Sequence, residues 1–283
     1  CRLQNKFIIK LNVMRKIILS FAVILMVVSA NAQSKFEVKD FGDFKLHSYV
    51  TADPLGDMSY IIEGQKGLVV VEPAVFIENI KEFGAYVATL NKPVEKVISN
   101  YHAAGFSGFD HSKFVMVEGM PEFIQGDVYK GMMQNFAAGF GKAIDVSDFV
   151  PTVTVGKNSG EVWAGIEFRF SPGISTDFPA ASILIGGKVY YMHFTPVANM
   201  HMSAMQIPSR EALDATLAEL ERAKASGATT YIGGHGVATT SIDAIDFQID
   251  YLKKVKETIS LIKTGDEFIM VMQMSYPDIA AEA

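Results

Sequence analysis

Histidine is the residue type in this sequence best suited to chemistry, because imidazole binds metal ions and transfers protons near neutral pH. Three of the six histidines stand where a fold could present them to a ligand. His102 follows an apolar segment at a loop, and His193 ends another apolar segment. His235 lies between two glycines, which allow close backbone approach and unusual dihedral angles. A structural, hydrogen-bonded role is the alternative for each of them.

Other catalytic arrangements find little support. Ser107 and Ser175 do not lie in a Gly-x-Ser-x-Gly elbow. No phosphate-binding loop and no dinucleotide-binding glycine pattern occurs in the sequence. Cys1 is the only cysteine, so we expect neither a disulfide nor thiolate chemistry in the rest of the chain.

Two strand-rich halves, each followed by helices, surround these histidines. Their alternation predicts two sheets packed together with helices outside, in one domain over residues 33–283. The expected strands are 44–51, 58–63, 68–72, 94–99, 114–117, 152–155, 162–170, 182–185, 189–193 and 230–232. The expected helices are 77–90, 122–142, 209–224 and 241–263. Residues 58–72 should form a hairpin around a tight turn at residues 64–67.

Several short motifs in this order resemble the metallo-β-lactamase superfamily over about residues 44–263. They are Ser59-Tyr60-Ile61-Ile62, Gly67-Leu68-Val69-Val70-Val71-Glu72-Pro73, Val97-Ile98-Ser99, Ser171-Pro172-Gly173, Lys188-Val189-Tyr190-Tyr191-Met192 and Gly233-Gly234-His235-Gly236. The resemblance implies an α+β fold, the four-layer αββα sandwich, with a zinc site at the sheet edges.

The resemblance also implies that most zinc ligands of that family have been replaced. Asn100 takes the place of the first ligand of the His-x-His-x-Asp-His motif, and His102 keeps the second. Ala104 and Gly105 stand where the Asp and the last His of that motif would be, and Ile174 stands for another His. His193 occupies the position of the bridging Asp, and His235 is retained. Two of seven family ligands therefore remain.

Two functions follow from the resemblance. The first is a non-catalytic or weakly active protein without a cofactor, whose former active-site cleft binds a small molecule or a protein partner. The second is a hydrolase that holds one zinc ion with His102, His193 and His235. Asp177 or Asp110 would then orient the ligands. A structural domain without a ligand is a third possibility.

The cleft is expected to be largely apolar. Its expected wall consists of Asn100, Ala104, Gly105, Phe106, Ile174 and Asp177. Four methionines between residues 192 and 205 would add adaptable apolar surface, unless they simply fill the core.

The amino terminus resembles an export signal. The basic start Met14-Arg15-Lys16 precedes an apolar run and the small-x-small site Ala30-Asn31-Ala32. We therefore expect translation from Met14, a signal peptide ending at residue 32, and a periplasmic or extracellular protein. The apolar run of about 12 residues is too short to cross a bilayer.

The charge of the remaining chain argues against nucleic acid as a partner. Residues 1–32 hold five of the 25 basic residues and no acidic one, which leaves 20 basic against 31 acidic residues, a net charge of −11. So acidic a chain has little capacity to neutralise phosphates.

Overall fold

The first sheet of the computed structural model, which describes residues 35–202 and 206–279, follows the order of the chain. Strands β1 to β4 pair antiparallel, and β4 to β7 pair parallel. The strands are β1 (Lys35–Asp40), β2 (Lys45–Val50), β3 (Met58–Glu63), β4 (Leu68–Val71), β5 (Val94–Ser99), β6 (Phe114–Val117) and β7 (Thr154–Val155).

The second sheet has the order β12-β11-β10-β9-β8. Its neighbours are antiparallel except for β11 and β12, which run parallel. The strands are β8 (Gly160–Trp163), β9 (Ile166–Pro172), β10 (Ala181–Ile185), β11 (Val189–Phe194) and β12 (Thr230–His235).

Six helices in the described residues cover the sheets. They are α1 (Ile77–Thr89), α2 (Met120–Ile124), α3 (Asp127–Phe140), α4 (Arg210–Ala225), α5 (Ile242–Leu261) and α6 (Gly265–Ser275). None of these helices is both long and apolar enough to cross a membrane.

The main core lies between the two sheets. Ile61 and Val70 of the first sheet belong to the same buried cluster as Ile183 and Tyr191 of the second. Successive strand residues point to opposite faces, so Tyr190 of β11 packs instead into a second cluster with helices α4 and α5. Helix α1 packs on the first sheet. This arrangement confirms the predicted αββα sandwich.

Four strands of the first sheet were predicted well. Strands β3, β5 and β6 have the predicted bounds, and β4 ends one residue earlier than predicted. The hairpin over residues 58–72 is present, and the Gly64 N–H donates to the Gly67 carbonyl at 3.0 Å to close its turn.

Two predicted elements are interrupted by glycine. The single helix over 122–142 is wrong, because Gly126 has extended dihedrals (φ −78°, ψ 160°) and separates α2 from α3. The single strand over 162–170 is also wrong. Ala164 and Gly165 both have positive φ and form a two-residue turn between β8 and β9.

Three further elements differ from the prediction. Strand β1 and helix α6 were not predicted. Strand β12 extends past residue 232 to His235, because it pairs with β11 as far as Phe194. The predicted signal peptide over 1–32 and the methionine at 205 lie outside the described residues.

Candidate metal centre

Three histidines meet at one end of the two sheets. His102 lies in the loop after β5, His193 in β11, and His235 at the end of β12. The ring centroids are 4.7 Å apart for His102 and His235, 5.5 Å for His193 and His235, and 5.6 Å for His102 and His193. Each ring offers a nitrogen, and these nitrogens lie within 4.8 Å of one another.

His102 is held by a buried carboxylate and a glycine. Glu72 follows β4 with a positive φ of 55°, and its carboxylate accepts hydrogen bonds from the N–H groups of Tyr101 (2.7 Å) and His102 (3.0 Å). The His102 ring packs on Gly234, where an added Cβ would lie 2.8 Å from the His102 Cε1. The loop geometry therefore depends on Glu72 and on the absence of a side chain at Gly234.

His193 is fixed by a stacked ring and an ion pair. It points from β11 to the same face as Tyr191, and its ring lies parallel to that of Tyr101 at 4.3 Å. Its Nδ1 lies 2.5 Å from the Oδ2 of Asp177, which comes from the loop between β9 and β10. Both the orientation and the position of this imidazole are thereby restricted.

His235 contacts the loop that precedes β3. Its backbone forms an isolated β-bridge with Asp57, and its Nδ1 lies 3.5 Å from the Asp57 Oδ1. The Asp57 side chain is buried. The backbone N–H of Asp57 lies 3.5 Å from the Oδ1 of Asp53. The Asp53 carboxylate also accepts a hydrogen bond from the Asn79 side chain at 2.6 Å.

Each of the three histidines thus has a carboxylate near its Nδ1. Besides the His193–Asp177 and His235–Asp57 contacts, the Nδ1 of His102 lies 3.7 Å from the Oε2 of Glu72. A carboxylate behind the imidazole is the usual surrounding of a metal-binding histidine, because it orients the ring and leaves the other nitrogen for the ion.

The donor set fits one zinc ion. Three imidazole nitrogens satisfy the minimum that catalytic zinc sites use. Bonds of 2.0–2.1 Å in tetrahedral geometry place nitrogen ligands about 3.3 Å apart, so the rings need only small movements from their separation of at most 4.8 Å.

His102 and His235 are uncharged at neutral pH, which is the form that binds a cation. Burial and the neighbouring imidazoles lower the pKa of His102 well below its ordinary value, and burial lowers that of His235 to about 3. A metal ion requires deprotonated imidazole, so neutral pH already supplies the binding form of both residues.

The three carboxylates differ in their electrostatics. Burial raises the pKa of Glu72 to about 7. Burial and the nearby charges of Asp53 and Glu72 raise the pKa of Asp57 well above its ordinary value. For Asp177, burial alone would raise the pKa, but the charge and hydrogen bond of His193 lower it. Asp177 is therefore the carboxylate that most clearly carries charge.

The histidines form part of the wall of a cavity of about 520 Å³. Of the predicted wall residues, Ala104, Ile174 and Asp177 line it. The rest of the lining is mainly apolar and includes Val75, Met132, Met133, Phe178, Met192 and Leu220.

Three predicted wall residues do not line this cavity. Asn100 is fully buried and spans the two sheets, donating to the Ala181 carbonyl at 2.7 Å and accepting from its N–H at 2.9 Å. Gly105 packs against Pro73 with a φ of 67°. Phe106 packs between Phe114 and Phe149 and borders a separate cavity of about 430 Å³. All three residues therefore contribute to packing within the fold and not to the wall of this cavity.

Asp110 and the other three histidines lie apart from the cluster. Asp110 caps a short 3-10 turn by accepting from the N–H of Ser112, and His111 stacks on Phe149. His47 contacts Tyr86 and Glu63, and His201 contacts Tyr251. The sequence interpretation missed Glu72 and Asp57. An acidic residue ending the apolar run Val69-Val70-Val71 was the available signal for Glu72.

Solved structures share this fold at low sequence identity. A metallo-beta-lactamase from Pontibacter korlensis is 14% identical with a TM-score of 0.52, over 77% of this chain and 99% of that one. The sec-alkylsulfatase Pisa1 from Pseudomonas sp. is 16% identical with a TM-score of 0.55, over 76% of this chain and 42% of that one. An archaeal metallo-beta-lactamase superfamily protein from Sulfolobus tokodaii is 11% identical with a TM-score of 0.50, over 82% of this chain and 95% of that one.

Neither protein-family models nor curated proteins gave a match to the sequence. The fold therefore rests on the structure and on these structural neighbours. With two facing sheets, outer helices and a histidine cluster at the sheet ends, the chain has the metallo-β-lactamase fold.

Proposed function

We propose that this chain is a hydrolase of the metallo-β-lactamase superfamily that works with a single metal ion held by His102, His193 and His235. One observation carries the proposal: three imidazoles converge, and each has a carboxylate near its Nδ1. Histidines retained only for packing have no need of three such partners.

When bound at such a site, zinc lowers the pKa of a water molecule to about 7 and polarises a substrate carbonyl. The chain itself supplies orientation. Asp177 holds the His193 ring at 2.5 Å, and Glu72 holds the backbone of the His102 loop.

One metal ion is the expected stoichiometry. Ala104, Gly105 and Ile174 offer no side-chain donor. Among the described residues, the three histidines are the group whose donors lie close enough together to hold an ion.

Metal titration tests this proposal directly. Protein freed of metal with a chelator is titrated with Co²⁺ and Zn²⁺, and bound metal is measured by elemental analysis and by the visible absorption of Co²⁺. We expect one ion per chain, lost in His193→Ala and retained in the control His111→Ala, whose ring stacks on Phe149 instead. Uptake that is equal in both variants would overturn the assignment.

The second candidate is a binding protein that performs no chemistry. The apolar lining of the cavity favours it. Metal content separates the two candidates, because the binding protein would hold no stoichiometric metal and would bind its ligand equally well with chelator present.

We also propose that the chain is exported to the periplasm or beyond. The order of basic residues, apolar run and small residues in the first 32 positions supports this. Amino-terminal sequencing of the protein from the exported fraction should begin at Gln33, and an uncleaved cytoplasmic product would contradict export.

A further inference from the structure

The cavity continues from the histidines to the far side of the second sheet. Met192 and His193 are consecutive residues of β11, whose side chains point to opposite faces, yet both line the cavity. Ala212 and Leu220 of α4 also line it, and Leu220 belongs to the buried cluster outside the second sheet. The cavity therefore passes from the space between the sheets to the layer between β11 and α4.

No lysine or arginine within the described ranges lines this cavity. The three acidic residues in its wall already have partners: Asp177 pairs with His193, Asp57 lies beside the His235 ring, and Glu219 pairs with Arg222 and accepts from Tyr190 at 3.0 Å. Away from the histidines, an anionic group would lose its hydration without gaining a cationic partner, which is strongly unfavourable in an apolar site. The part of the occupant that lies between β11 and α4 must therefore be uncharged.

The wall is also adaptable and apolar. Met132 and Met133 from α3 line the cavity together with the α4 side chains, and methionine adjusts to ligands of irregular shape. A volume of about 520 Å³ suits a small organic molecule. Such a lining recognises hydrocarbon rather than a set of polar groups.

We infer that this cavity binds an uncharged carboxylic ester with a long alkyl chain, with the ester group at the histidines and the chain between β11 and α4. The position of the ester rests on the proposed function. Hydrolysis of this substrate by water breaks its acyl C–O bond and yields a carboxylate, a proton and an alcohol, so no other co-reactant is needed.

Displacement of a neutral fluorescent probe tests the ligand class without metal. Metal-free protein is loaded with N-phenyl-1-naphthylamine, and methyl butanoate, methyl hexanoate, methyl octanoate and sodium octanoate compete with it. We expect affinity to rise about fourfold for each added methylene, and methyl octanoate to bind at least tenfold more tightly than octanoate. Equal displacement by ester and anion, no chain-length order, or no probe binding would overturn the inference.

Thr216 of α4 provides a variant that preserves shape. Its buried Oγ1 has no hydrogen-bond partner among the described residues, and its side chain lines the cavity. Thr216→Val replaces this hydroxyl with a methyl group and makes the cavity wall more apolar, so it should raise the affinity for methyl octanoate about fourfold. Thr258→Val removes another buried, unpartnered hydroxyl away from the cavity and should leave the affinity unchanged. Weaker binding by Thr216→Val would refute this placement of the chain.

The metal titration keeps the two proposals separate. A protein that binds the esters in this order but takes up no metal supports the ligand class and overturns the proposed hydrolase. A protein that takes up one metal but shows no preference for longer, uncharged ligands overturns the ligand class and leaves the proposed function intact. Metal-dependent release of nitrophenol from 4-nitrophenyl octanoate, faster than from the acetate, supports both.

Discussion

Replacing Asp177 with asparagine tests whether the carboxylate behind His193 belongs to a metal centre. The Asp177 Oδ2 lies 2.5 Å from the His193 Nδ1, and the His193 side chain is only 5% exposed, so little solvent competes for the contact. Asparagine keeps the shape of the side chain and an oxygen that accepts a hydrogen bond. It removes the negative charge that makes the imidazole a stronger ligand.

The size of the effect follows from the loss of a charged partner. A hydrogen bond to a charged group contributes about 1.5–3 kcal/mol. At about 1.4 kcal/mol for each factor of ten, zinc affinity should fall roughly 10- to 100-fold, which is the range typical of lost outer carboxylates at metal sites. The fold should persist, because the amide still accepts from the ring.

Competition with a chromophoric chelator measures the zinc affinity. Asp110→Asn is the matched control. Both aspartates accept a backbone hydrogen bond, Asp177 from the N–H of Phe178 at 2.8 Å and Asp110 from the N–H of Ser112 at 2.9 Å, but Asp110 does not touch the three histidines. The reasoning fails if Asp177→Asn binds zinc within twofold of the wild type, or if Asp110→Asn loses as much affinity. Urea unfolding of both variants separates a loss of metal binding from a loss of structure.

Three further predictions concern single residues. In the metal-free chain, the pKa of His235 is about 3 against an ordinary 6.5. The unfolded chain therefore takes up the proton first as the pH falls between these values, and the free energy of unfolding should drop by up to about 1.4 kcal/mol per pH unit, a dependence that His235→Asn reduces. Gly234→Ala places a methyl group 2.8 Å from the His102 Cε1 and should weaken zinc binding, whereas Gly131→Ala, in open space in α3, should leave it unchanged in the same chelator assay. Asn100→Ala leaves two buried backbone groups unpaired and should cost about 2 kcal/mol or more in urea unfolding, while a large change in zinc affinity would show that its role is not purely structural.

Much of the fold could be predicted from local pattern. Strands β3 and β4 are apolar runs on either side of a turn bounded by two glycines, and this pattern is independent of the rest of the chain. Helix α1 was predicted to within one residue because its apolar residues recur at helical spacing. The interruption at Gly126 and the turn at Ala164 escaped prediction, because single backbone dihedrals break otherwise continuous patterns.

For the candidate site, the sequence predicted the histidines but not the carboxylates beside them. The ordered resemblance of short motifs singled out His102, His193 and His235, and the structure brings them together. Their carboxylate partners could not be assigned from spacing. Glu72 precedes His102 by 30 residues, and Asp57 reaches His235 only because the loop before β3 crosses to the end of β12.

The sequence by itself determined the alternating apolar segments, the export-like amino terminus, the acidic charge and the residue types available for chemistry. Only the tertiary structure decided which polar groups face one another and which are absorbed by packing. In the folded chain, Asn100 links the two sheets through hydrogen bonds, and a cavity borders both faces of β11. The physical reason is that strand and helix periodicity are local properties, whereas hydrogen-bond partners, burial and pKa shifts depend on contacts between residues that the fold alone brings together.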